Sequence, residues 1–257
     1  MSGDSKPALL ITAAGQGRRV GGGKNKLYMF LRGKPVLART LDVFKEMDLF
    51  ASTIVIVAPG EEKAFRRWVE IPFLSGDKRF TTVAGGQERQ DSVYNGLLAL
   101  KEKGMGEGSI VCIHDGARPL VSSSLVDKVY REALLSGAAV AGIPLKDTIK
   151  IVNRELTVVE TPPREDLFAV QTPQCFEFSL LWEAHLRARE DNYRGSDDAS
   201  LVERLGVPVK IVPGTDENLK LTTEMDFKIA EALLDNGKNP EQSADDTLDN
   251  FFDWTCR

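Results

Sequence analysis

The sequence predicts an α/β fold in which a mostly parallel sheet is covered by helices on both faces. Three observations carry this. Apolar runs alternate with amphipathic helical patterns from Ala8 to Ile143. The runs are continuously apolar rather than alternating, as strands buried on both faces require. The turns that follow several of them carry glycine and charge, at the carboxyl ends of strands where such sheets bind ligands.

The expected strands are Ala8–Thr12, Thr53–Ala58, Thr81–Ala84, Ile110–His114 and Ala139–Ile143. Helices are expected over Pro35–Met47, Glu61–Val69, Glu88–Lys103 and Ser124–Leu135, with Pro35 suited to a first helical turn. The pattern then changes. Ile149–Val152 and Thr157–Glu160 alternate around Asn153-Arg154, which predicts a two-stranded hairpin. An isolated hairpin is unstable in water, so this one packs on its own domain or on another subunit; the pattern leaves both open. A strand at Phe168–Val170, a helix near Phe178–Arg189, a strand at Val209–Val212 and a helix over Thr223–Leu234 complete the core. Residues 1–235 therefore form one domain, with an arm at about 146–164, and residues 236–257 an acidic tail expected to be mobile.

The tail holds five acids (Glu241, Asp245, Asp246, Asp249 and Asp253) against Lys238 and Arg257. It accounts for −3 of the formal charge of −5, leaving −2 on the body. A nearly neutral body argues against nucleic-acid partners, which favour a basic face. Cys112, Cys175 and Cys256 show no zinc spacing, and an odd count suits a reducing compartment. No apolar run reaches membrane-spanning length, and the start Met-Ser-Gly-Asp-Ser-Lys lacks a signal peptide's apolar stretch. The expected location is cytoplasmic, with no membrane partner.

The most informative stretch is Ala13-Ala14-Gly15-Gln16-Gly17-Arg18-Arg19, directly after the apolar Leu9-Leu10-Ile11, with Lys26 downstream. Small residues let backbone amides close around an anion, and arginine forks and a lysine add positive charge. A nucleoside triphosphate is the natural guest. Two commoner phosphate loops are excluded. The dinucleotide fingerprint needs glycine at Val20, and the P-loop needs glycine at Arg18 and a hydroxyl residue at Asn25.

Further motifs follow in order: Gly85-Gly86-Gln87-Glu88-Arg89-Gln90-Asp91-Ser92, His114-Asp115-Gly116-Ala117-Arg118-Pro119, Lys146-Asp147-Thr148, Thr172-Pro173-Gln174 and Asn218-Leu219-Lys220. As an ordered set they resemble the IspD family, the 2-C-methyl-D-erythritol 4-phosphate cytidylyltransferases, over about residues 7–235. The resemblance implies a Rossmann-like three-layer nucleotidyltransferase fold with a β-hairpin dimerisation arm. It implies transfer of CMP from CTP to a polyol phosphate, a magnesium cofactor and a homodimer joined through the arm.

Residue by residue, the resemblance implies catalytic roles for Arg19, Lys26 and Lys220. Ala13, Ala14, Gly15, Gly17, Gly86, Arg89, Ser92, Asp115 and Gly116 would hold the nucleotide, with Asp115 also on the metal. Arg118, Thr148, Arg164, Thr172 and Ser196 would grip the acceptor, Thr148 and Arg164 reaching a neighbouring subunit's site. His114 and His185 are given no chemical role, and Asp197 and Asp198 are expected to cap a helix. The sequence departs from the family at Val20, where methionine is usual, and at Asn25, where proline is usual; both changes are expected to loosen the first loop. Glu217 replaces an aspartate, which puts a second metal contact in doubt. Competing functions are a cytidylyltransferase for another polyol phosphate such as ribitol 5-phosphate, a non-catalytic nucleotide-binding regulator and a redox enzyme. The four charged residues Arg19, Lys26, Asp115 and Lys220 argue against the regulator, and Val20 disfavours the redox enzyme.

Overall fold

The computed structural model describes residues 6–15, 25–74 and 76–236. Gly17, Arg18, Arg19, Val20 and the 237–257 tail lie outside the described residues.

Seven strands form one sheet in the order β11-β7-β10-β6-β1-β4-β5. They are β1 (Ala8–Ala13), β4 (Ser52–Val57), β5 (Phe80–Ala84), β6 (Ile110–Asp115), β7 (Ala138–Pro144), β10 (Phe168–Glu177) and β11 (Lys210–Pro213). All run parallel except β10, which pairs antiparallel with both β6 and β7. The register sets Thr12 beside Asp115, Ala13 beside Val57, and Val57 beside Ala84. Four strand ends are thereby brought to one edge.

Alternate residues of β1 feed two cores, because successive side chains of a strand point to opposite faces. Leu9 and Ile11 pack with helices α1 (Val36–Glu46) and α4 (Ser123–Ser136); Leu10 packs with α3 (Arg89–Glu102) and α5 (Phe178–Glu190). Gly96 lets α3 lie close on the sheet: a Cβ there would come within 2.9 Å of Ile56 Cδ1 and 3.0 Å of Leu10 Cδ2. Local signals delimit the helices. Ser122 accepts a hydrogen bond from the Leu125 amide at the start of α4, and Gly137 closes it at φ +79°. Glu88 and Asp91 form a capping box at α3. Two further α-helices, α6 (Asp198–Glu203) and α7 (Glu224–Asn236), follow later in the chain.

Three elements differ from expectation. The strand expected at Phe168–Val170 extends to Glu177, straight through Pro173. Proline cannot donate to a ladder and normally excludes a central strand. Here the pairing with β7 breaks between Val170 and Gln174, so Pro173 sits in the irregularity. The helix expected over Glu61–Val69 is α-helical only as α2 (Glu62–Phe65) and then widens into a π-type helix, Arg66–Leu74, containing Pro72. A residue lacking its N–H breaks the regular i−4 ladder there. A small hairpin, β2 (Phe30–Leu31) and β3 (Lys34–Pro35), precedes α1; its turn residues Arg32 and Gly33 have φ of 48° and 71°.

The arm forms as expected, from β8 (Ile151–Val152) and β9 (Val158–Glu160). Asn153 Oδ1 organises its turn by accepting from the amides of Glu155 and Thr157. Its apolar side chains stay open: Leu156 is 81% exposed and Val159 67%. The arm therefore does not bury its apolar side chains on its own domain.

Candidate functional site

Asp115 ends β6 and is the centre of the site. Its Oδ1 accepts from the Thr12 hydroxyl at 3.1 Å, and its amide donates to Thr172 Oγ1 at 3.1 Å. Three cations from distant segments converge on its carboxylate: Lys220 at 2.9 Å, Arg118 at 3.5 Å and Arg89 at 3.9 Å. Burial would raise the pKa of Asp115, but Lys220, then Arg89 and Arg118, hold the carboxyl well below the usual range. Asp115 is thus a fixed anion ringed by positive charge.

Each cation is itself placed by the fold. Arg118 is mostly buried and donates to the Asn218 carbonyl at 2.6 Å. The Asn218 amide in turn donates to Gln171 Oε1 and the Thr172 carbonyl, tying the Lys220 loop to β10. Arg89, in the first turn of α3, pairs with Asp198 at 2.7 Å. Asp198 is buried and also receives His185 Nε2 at 3.3 Å. Burial opposes charge on Asp198, but Arg89 and His185 hold its pKa down.

Arg89, Asp115, Arg118, Gln171, Thr172 and Lys220 line a cavity of about 470 Å³, together with Val140, Val170, Gln174, Ser196 and Ile211. Among the expected site residues, the cavity unites Arg89, Asp115, Arg118, Thr172, Ser196 and Lys220. The first two glycine motifs meet beside it. A Cβ on Gly85 would come within 2.5 Å of Ala14 Cβ and 2.8 Å of Ser92 Oγ, so only glycine allows the loops to touch. Ser92 Oγ accepts from the Gly86 amide at 3.1 Å and donates to the Glu88 carbonyl at 3.0 Å, which shapes that loop. Ala13 is buried at the end of β1, and Gly15 is open. Gly116 faces α1 instead: its amide bonds the Thr12 carbonyl and its own carbonyl accepts from Thr40.

Thr148 and Arg164 do not join the cavity. Both are exposed at the base of the arm, where Arg164 donates to the Lys146 carbonyl at 2.9 Å. Lys26 opens a single turn of 3₁₀ helix, Lys26–Tyr28. His114 lies in the core, as expected. The Thr172 hydroxyl contacts its Nδ1 at 3.0 Å, and its Nε2 meets the Arg118 carbonyl at 3.2 Å. Burial lowers its pKa to about 4, so it stands neutral with the proton on Nε2 and braces Thr172.

One expectation needs correction. Asp197 caps α6 alone; Asp198 is the partner of Arg89, a role hidden because the two adjacent acids look alike in sequence. Asn25 is itself held in place: its Oδ1 accepts from the Leu27 amide at 3.1 Å and its Nδ2 donates to Glu61 at 2.7 Å. Val20 and the rest of residues 16–24 of the first loop lie outside the described residues.

A family model described as 2-C-methyl-D-erythritol 4-phosphate cytidylyltransferase matches residues 8–236. A protein of that name from Pelotomaculum thermopropionicum is 45% identical over 229 residues, covering 89% of this chain and 94% of that protein. Another from Geobacillus thermodenitrificans is 46% identical over 225 residues, covering 88% and 95%. Among solved structures, the cytidylyltransferase of the same name from Thermus thermophilus superposes with a TM-score of 0.71 at 35% identity, covering 89% of this chain and 98% of that one. The 4-diphosphocytidyl-2C-methyl-D-erythritol synthase from Anaerococcus prevotii gives 0.76 at 28% identity, covering 89% and 95%.

Proposed function

We propose a division of labour within this site from one premise: the chain belongs to the 2-C-methyl-D-erythritol 4-phosphate cytidylyltransferase family. The reaction is transfer of CMP from CTP to 2-C-methyl-D-erythritol 4-phosphate, a step of the non-mevalonate route to isoprenoid precursors. An oxygen of the acceptor phosphate attacks the α-phosphorus, a P–O bond forms, and the bond to the departing pyrophosphate breaks. The acceptor's second phosphate pKa is near 6, so it is mostly dianionic at neutral pH and needs no general base. The protein's task is to align two anions and stabilise the charge of the transition state.

The observation that carries the assignment is the convergence of Arg89, Arg118 and Lys220 on Asp115 at the strand ends. Incoming phosphates compete with Asp115 for these cations. Arg118, Thr172, Ser196 and Lys220 face the acceptor. Ala13, Ala14, Gly15, Gly86 and Ser92 form the wall for cytosine, where small residues admit the base edge. Lys26 and Arg19 act on the triphosphate and the transferring phosphoryl. The residues fit a magnesium ion borne by the substrate. Asp115 offers one carboxylate, and the described residues contain no group of three or more His, Cys, Asp or Glu that could hold a metal by itself. Magnesium commonly takes one or two carboxylates, phosphate oxygens and water. Bound there, it supplies positive charge that offsets the triphosphate.

The arm's open apolar surface and the position of Arg164 and Thr148 at its base support a twofold dimer in which each arm completes the partner's acceptor site. A reducing, cytoplasmic setting fits Cys112 and Cys175, register partners that remain free thiols. No described helix is long and apolar enough to cross a membrane.

Single substitutions test the assignment. Lys26→Ala and Arg19→Ala should each lower turnover by about 10²–10³-fold with the fold intact, the loss expected for a preorganised charge contact. Near-wild-type turnover in either would remove that residue from the chemistry.

A further inference from the structure

We propose that Asn25 and Glu61 form a tether that positions Lys26 for the reaction. The inference rests on the assignment of Lys26 above. Asn25 is 9% exposed, and both ends of its amide are used. Its oxygen accepts from the Leu27 amide, which fixes the first turn of the Lys26–Tyr28 helix. Its nitrogen donates to Glu61 Oε2 at 2.7 Å, across 36 residues of sequence. The backbone of Lys26 is therefore flanked on one side by a restrained side chain and on the other by the amide that side chain holds.

Glu61 is a firm anchor. It follows β4 directly, through a turn in which Gly60 has φ +88° and the Glu61 amide donates to the Ala58 carbonyl at 2.9 Å. β4 is the sheet neighbour of β1, with Val57 opposite Ala13. Asn25 is thereby fastened just beyond the neighbour of the strand from which the first loop departs. Tyr28 closes the same turn. Its ring is buried, and burial, then the Glu61 carboxylate beside it, pushes its phenol pKa up. The direct bond of the Glu61 carboxylate in this turn is the one from Asn25.

A charge contact is sensitive to placement: a shift of about 1 Å can cost on the order of 10²-fold in rate. The tether acts through Lys26, so removing it should lower kcat by a larger factor than it raises the KM for CTP, since cytosine is read by other loops. Asn25 also has φ −69°, inside the range of a proline ring. A proline there would hold the backbone by covalent restraint instead of hydrogen bonds.

The test uses the full chain and reads kcat, KM for CTP and Tm in one series: Asn25→Ala, Asn25→Pro, Glu61→Ala, Glu61→Gln and Lys26→Ala, with Asn25→Ala/Lys26→Ala as the double variant. Asn25→Ala and Glu61→Ala should each lower kcat by roughly tenfold or more, within the range a displaced contact allows. Glu61→Gln keeps an acceptor oxygen, and Asn25→Pro keeps the backbone angle; both should regain most of the loss. In the double variant, Asn25→Ala should add no further loss beyond Lys26→Ala, because residues acting as one unit are non-additive. Wild-type kcat in Asn25→Ala and Glu61→Ala would overturn the tether while leaving Lys26 in place. So would full additivity in the double variant, or losses that track Tm and are not regained by Glu61→Gln. Wild-type turnover in Lys26→Ala would instead remove the assignment on which the tether depends.

Discussion

Lys220 Nζ lies 2.9 Å from Asp115 Oδ2, yet the two differ in freedom: the lysine side chain is 41% exposed and the aspartate 8%. The aspartate is held on its other oxygen by Thr12 and through its amide by Thr172. On the proposed assignment, the more exposed lysine would turn to an arriving phosphate while Asp115 stays, leaving its carboxylate free to hold a cation carried in with the nucleotide.

That exchange gives the first prediction. Asp115→Asn removes the anion but keeps the shape. The magnesium concentration for half-maximal turnover should rise several-fold, and magnesium should no longer tighten CTP binding measured by calorimetry. An unchanged magnesium titration by both readouts would take Asp115 out of the metal site.

A second prediction follows from His114. Its folded pKa of about 4 lies below the ordinary value near 6.5. Between those values the unfolded chain takes up a proton that the folded chain refuses. Stability present above about pH 6.5 is therefore lost as pH falls toward 4, by on the order of 3 kcal/mol for a shift of this size. Gln can offer an acceptor to Thr172 and a donor to the Arg118 carbonyl without titrating. Urea unfolding across this window should show a shallower pH slope in His114→Gln than in the wild type. Equal slopes would mean that His114 titrates normally in the fold.

The arm supplies the third. Arg164 stands at the arm's base and Lys26 in the body, so a site shared between subunits allows complementation. Arg164→Ala and Lys26→Ala should be inactive alone and recover activity once subunits exchange. Random exchange makes roughly half the dimers mixed, with one of two sites complete, so recovery should approach about a quarter of wild-type sites by symmetry. Exchange-competent mixtures without recovery, or a fully active monomer, would place Arg164 in its own subunit's site or outside it.

Much of this is legible in the sequence because the relevant signals are local. Continuous apolar runs mark the parallel strands, Ser122 and Gly137 bracket a helix, and alternation marks the arm. The topology then brings the first loop, the Gly85-Gly86 turn and Asp115 to one edge, while the Lys220 loop is set there by the Asn218 hydrogen bonds. What escapes a sequence reading is set by distant partners. Strand β10 is masked by Pro173, which is tolerated only because pairing breaks around it. Asp198 looks like a cap because nothing local distinguishes it from Asp197; its role comes from Arg89 on another helix. The partner of Asn25 is hidden because its bond reaches Glu61, 36 residues away.

The most direct test of the account places CTP, magnesium and equal amounts of 2-C-methyl-D-erythritol 4-phosphate and ribitol 5-phosphate with the enzyme and follows phosphorus resonances with time. The account predicts one new diphosphate-linked product, 4-diphosphocytidyl-2-C-methyl-D-erythritol, with pyrophosphate appearing in equal amount and ribitol 5-phosphate left unconsumed. Preferential consumption of ribitol 5-phosphate, or pyrophosphate released without a cytidylyl product, would contradict it.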